Sequence, residues 1–122
     1  MRRGSAGASV SDDVRLIRRL VLEAAERVAD GSGGHGEDWV SLGVVWADVR
    51  PRGGREDFIA GRPRPKVRYR ILVRAAPPGA PSRPKPQQRL RDGARVFRIL
   101  TVTEGDPAGR YLEIVAEEGL LP

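Results

Sequence analysis

Residues 38–56 read Asp38-Trp39-Val40-Ser41-Leu42-Gly43-Val44-Val45-Trp46-Ala47-Asp48-Val49-Arg50-Pro51-Arg52-Gly53-Gly54-Arg55-Glu56, an apolar run that passes into a charged, glycine-rich turn. Within it Val45, Ala47 and Val49 alternate with Val44, Trp46, Asp48 and Arg50. Successive side chains of a strand point to opposite faces, so this period of two predicts a half-buried β-strand. Proline cannot donate to a ladder, and Pro51 is expected to end that strand near Arg50.

Working outward, Val67, Tyr69, Ile71, Val73 and Ala75 alternate with Lys66, Arg68, Arg70, Leu72 and Arg74, which predicts a second strand with one core face and one positive face. Between the two strands, Arg52 to Lys66 reads as a long loop built around the apolar pair Phe58-Ile59. Pro77 to Pro86 holds five prolines and is expected to run extended over the surface. Arg91-Asp92-Gly93-Ala94 marks a tight turn into a strand at Arg95 to Thr103, and Asp106-Pro107-Ala108-Gly109 a turn into a last strand, Tyr111 to Ala116. On the other side, the glycine-rich Asp30 to Gly36 reads as a hairpin loop. Between Val14 and Val28 the spacing of Ile17, Leu20, Val21, Ala24, Ala25 and Val28 is that of a helix face. Trp46, Tyr69 and Phe97 are expected in the core. The whole predicts an all-β fold: one small antiparallel barrel or sandwich of five or six strands over residues 13–122, after a flexible tail at 1–12.

The 122 residues carry a net charge of +6 and no cysteine. That charge is segregated: between Arg62 and Arg98 twelve Arg or Lys stand against the single acid Asp92, while the remainder is net acidic. Such segregation suits a polyanion-facing surface or complementary contacts between copies of the chain. Neither an apolar leader nor a membrane-spanning run is present, so secretion and membrane insertion are not expected.

Catalytic chemistry is poorly provided for. The single histidine, His35, lies in the glycine-rich loop; Glu56-Asp57 and Glu117-Glu118 are adjacent pairs whose side chains diverge; and Gly53-Gly54-Arg55 lacks the Lys-Ser/Thr of a phosphate loop. No enzyme, cofactor or metal site is predicted.

The blocks taken together, the Val45 to Glu56 core "VWADVRP.GGRE", the basic strand at 67–74, a hairpin with Arg89, Asp92, Gly93, Phe97, Ile99 and Val102, and the closing strand from Tyr111, resemble the phage head-tail joining proteins. The segment Arg74 to Pro84 is similar to the version carried by bacterial gene transfer agents. The resemblance implies a short strand at residues 18–24, against the helical spacing there. It further implies a stopper protein of the virion neck, assembled in the bacterial cytoplasm as a ring of six or twelve copies. Adaptor and portal would lie above it, tail terminator and tail below, and packaged double-stranded DNA in the channel. The loop after Pro51 would project towards that channel. On this reading Arg55, Arg62, Arg64, Lys66, Arg68 and Arg70 are the DNA-proximal candidates, and Phe58, Ile59, Pro81, Arg83 and Pro84 the inter-subunit contacts. The rival reading is an OB-like or SH3-like barrel that binds RNA or single-stranded DNA; it calls for aromatics interleaved on the basic face, whereas Arg68, Arg70 and Arg74 share theirs with Leu72 alone.

Overall fold

The computed structural model of the chain describes residues 13–29, 35–59 and 62–119. Six strands, β1 (Arg18–Ala29), β2 (His35–Ile59), β3 (Arg62–Arg74), β4 (Arg89–Asp92), β5 (Arg95–Glu104) and β6 (Tyr111–Gly119), close into an antiparallel barrel in the order β1-β2-β3-β6-β5-β4. Closure leaves the barrel wall without an unpaired edge. The expected tail at 1–12 and most of the predicted hairpin loop, Asp30 to Gly34, lie outside the described residues; His35 and Gly36 already belong to β2.

Inward-facing residues alternate along every strand and meet as one core: Leu20 and Leu22, Ala47, Ile71 and Val73, Leu90, Phe97 and Ile99, and Leu112, Ile114 and Ala116. Phe97 is fully buried and meets Tyr69 edge-on, the ring centroids 5.1 Å apart. Truncating a buried aromatic of this kind costs about 3–5 kcal/mol.

Segment 14–28 is strand from Arg18 onward, as the resemblance implied and its helical spacing did not. Val21, Leu22 and Glu23 pair with β4, and the whole of β1 pairs with β2. A 3.6-residue period over so short a stretch decides little once two neighbouring strands offer a ladder.

Among the described residues three β-bulges bend the wall, leaving Leu42, Arg52 and Leu100 without ladder partners. At the first, Gly43 has φ +131°, a conformation that glycine adopts without a Cβ penalty. The second corrects two expectations. Pro51 does not stop β2, because the bulge beside it absorbs the missing donor and the strand runs on to Ile59. The expected loop Arg52 to Lys66 is instead a β-ribbon, with Arg55 opposite Lys66, Asp57 opposite Arg64 and Ile59 opposite Arg62.

β2 therefore extends past the barrel at both ends. Beyond Glu23, β1 pairs only with β2; before Lys66, β3 pairs only with β2. Two two-stranded ribbons continue from opposite ends of one shared strand of 25 residues, several times the usual strand length of about five or six.

The proline segment is also different from the extended run expected. It folds into consecutive turns on its own barrel, with Ala80 N donating to Pro77 O, Arg83 N to Ala80 O and Gln88 N to Lys85 O. Pro84 is buried and the Arg83 guanidinium donates to Ala76 O at 2.8 Å.

Candidate assembly surfaces

The basic face of β3 stands beside an acidic row on β6. Register places Arg68 opposite Glu117 and Leu72 opposite Glu113, so the outward side chains of the two strands form a ladder. Arg70 pairs with Glu113 at 3.1 Å, Arg68 with Glu117 at 3.2 Å and Lys66 with Glu117 at 3.8 Å. Three of the cations expected near DNA are thus joined to carboxylates of their own chain. Leu72, read from the sequence as part of this positive face, is buried there: a Cβ built at Gly105 would lie 3.3 Å from its Cδ2.

Among the described residues five carboxylates lie buried, each beside an arginine. Glu23 accepts from Arg89 at 2.7 Å and Arg91 at 2.8 Å; burial pushes its carboxyl up, but the two guanidinium groups prevail and hold it below the ordinary glutamate value. Asp48 is raised by burial and lowered further by Arg50 and the Arg15 amide, with the same net direction. Asp106 fixes the turn before β6 by accepting from the Arg110 and Tyr111 amides and from Arg110 Nε. Glu117 holds Arg68 and Lys66. Glu118 takes Arg95, and that pairing, with the Tyr69 hydroxyl behind it, lowers its pKa against the effect of burial. Arg18 and Asp92, 3.0 Å apart, complete the polar closure of that barrel end.

The ribbon of β2 and β3 carries Arg55, Phe58, Ile59, Arg62 and Arg64 on its backbone; their side chains lie outside the described residues. Of the other expected contacts, Pro81 is exposed, whereas Pro84 and Arg83 are used inside the chain.

A surface that the sequence reading missed lies on β2. Trp46, expected in the core, is 52% exposed and Val44 44%. They border a groove of about 430 Å³ whose far side is Val73, Arg74, Ala75 and Ser82. Its signal was present: Val44, Trp46 and Asp48 share a face, and Ala47, between them, is the smaller residue that faces the core.

The fold has counterparts among known proteins. The model of the phage head completion protein family matches residues 12–119. The chain belongs to this family. A chain in the structure of the virion of a native gene transfer agent particle is 51% identical and superposes with a TM-score of 0.79, covering 88% of this chain and 98% of that one. A protein from Shigella flexneri 2a, solved in solution, shares the fold at 20% identity, with a TM-score of 0.60 over 88% of this chain and 96% of that one. No curated protein matches.

Proposed function

We propose that this head completion protein is a structural neck component of a phage-like or gene transfer agent particle. Copies form a ring between portal-adaptor and tail, extend the DNA channel, retain the packaged DNA and offer the tail its docking surface. The observation that carries this reading is the pair of ribbons leaving opposite ends of one barrel along β2, which gives a single small subunit reach towards two neighbours at once. Family membership and the 51% identical virion chain support it.

In this arrangement the β2–β3 ribbon approaches the channel. Arg55, Arg62 and Arg64 lie near packaged DNA, while Phe58, Ile59 and the exposed Pro81 contact adjoining subunits. Lys66, Arg68 and Arg70 contribute less to DNA, because Glu113 and Glu117 already neutralise much of their charge. Retention and docking require no turnover; a narrowed pore and complementary ring faces suffice.

The test follows from the register. Replacing residues 56–65 with Asn-Gly removes whole pairs and joins Arg55 to Lys66 through a two-residue hairpin turn. The barrel is expected to stay folded and the particles to lose DNA or fail to take on tails. Particles that kept their DNA and transduced normally would contradict the ribbon's role.

A further inference from the structure

A single cross-strand row runs round five strands of the barrel. Arg68 stands opposite Glu117, Glu117 opposite Arg98, Arg98 opposite Arg89, and Arg89 opposite Glu23. Each of its two carboxylates already answers two cations: Glu23 holds Arg89 and Arg91, and Glu117 holds Arg68 and Lys66. Arg98 is exposed and has no ion pair among the described residues. Like charges directly opposite on an antiparallel pair destabilise it, so the Arg89–Arg98 step places surplus positive charge at a fixed point.

That point is a shaped site. A cleft of about 300 Å³ is lined by Ala25, Trp39, Gln87, Gln88 and Arg98, and the Arg89 guanidinium lies 4.0 Å from the Trp39 ring centroid. Gln87 has φ +77°, a left-handed conformation that non-glycine residues rarely adopt.

The chain carries the opposite feature on its β1–β2 ribbon. Glu26 stands directly opposite Asp38; both are exposed, and neither has an ion pair among the described residues. Alternation along the two strands puts them on the ribbon face away from Ala25 and Trp39, hence away from their own chain's cleft.

We propose that these like-charged pairs of opposite sign are the two halves of one contact between successive copies, with Glu26 and Asp38 of one copy seated against Arg98 and Arg89 of the next. The inference rests on the ring reading and supplies its subunit contact. The two patches are different surfaces, so the contact is head to tail, the kind that repeats around a ring. The Glu26–Asp38 repulsion burdens the isolated chain, Arg98 adds positive charge beside an Arg89 that Glu23 already holds, and a neighbour seated with opposite charges relieves both. Exposed charges are screened over about 8 Å at physiological salt, so free chains associate weakly and the contact forms when a portal assembly brings them together.

The signature is a substitution that helps the monomer and harms the particle. Glu26→Lys removes the repulsion with Asp38, so the purified chain is expected to melt at the same temperature or higher, while its incorporation into particles falls about tenfold or more. Arg98→Glu is expected to lose incorporation likewise, with Arg98→Gln used instead if the acid beside Glu117 unfolds the chain. The double variant Glu26→Lys, Arg98→Glu restores incorporation, since every interface again joins opposite charges. Normal incorporation of Glu26→Lys, or a double variant no better than the singles, would overturn the contact. Copies per particle are counted in the parent by mass spectrometry: several copies beside a failed rescue would leave the ring reading standing, whereas a single copy would remove both.

Discussion

Glu118 accepts hydrogen bonds from Nε and Nη2 of Arg95, at 2.8 and 2.9 Å, and so joins β6 to β5 across the barrel end from which the β2–β3 ribbon departs. The Tyr69 hydroxyl donates to the same carboxylate at 3.1 Å, and Arg95 stacks 5.0 Å from the Phe97 ring centroid. Packing and charge therefore meet at one residue. Glu118→Ala is expected to lower stability by about 1–2 kcal/mol, a moderate figure because Arg95 remains partly in water. Thermal melting measures it; an unchanged melting temperature would mean that the aromatic pair and the Arg18–Asp92 pair close the end without Glu118.

Acid should unfold the chain through these carboxylates. Glu23, Asp48 and Glu118 are all held below their ordinary values in the folded state, so the unfolded chain binds protons first as pH falls. Their stabilising contribution is complete above the usual carboxylate range of about 3.9–4.3 and drains as pH drops through and below it. Melting temperature is expected to be flat with respect to these groups from pH 7 to about 5 and to fall steeply below pH 4. A curve flat down to pH 3 would remove the buried pairs from the stability account.

The two faces of β3 should respond differently to substitution. Ile71 is fully buried, and Ile71→Asp places an unpaired charge in the core, which is expected to abolish the fold. Arg68→Ser leaves Glu117 with Lys66 and should cost only about 1 kcal/mol. Circular dichroism with thermal melts separates the two; equal losses would mean that the faces are reversed.

Gly43 tests the bulge. A Cβ there meets nothing within 4 Å, yet φ is +131°. Gly43→Val is therefore expected to destabilise the barrel through backbone strain alone, by about 1–3 kcal/mol. A neutral result in the melting temperature would show that the bulge relaxes.

Much of the barrel could be read from alternation. Val67 to Arg74, Arg95 to Thr103 and Tyr111 to Ala116 are strands because one face of each is apolar, and a period of two survives any tertiary context that buries one face. Features that depended on a partner strand were not legible. Pro51 reads as a stop until a bulge is known to sit beside it, and Phe58-Ile59 reads as a loop until Pro63 and Arg62 are seen across from it. The cations were visible and their destinations were not. Arg68 and Arg70 meet acids 49 and 43 residues away in sequence, and nothing local to β3 announces Glu113 or Glu117. Trp46 was misplaced by its size, since a large aromatic in an alternating strand is ordinarily core and here faces outward beside Val44.

Cryo-electron microscopy of the neck of the intact particle, at a resolution that traces strands, decides whether the ribbons join a ring. A closed ring of copies of this barrel between portal-adaptor and tail is expected, with the β2–β3 ribbon directed at the channel and the opposite ribbon, formed by residues 24–29 and 35–40, against a neighbouring copy. Finding the chain as a single copy, or as a ring whose β2–β3 ribbon points away from the channel, would contradict that expectation.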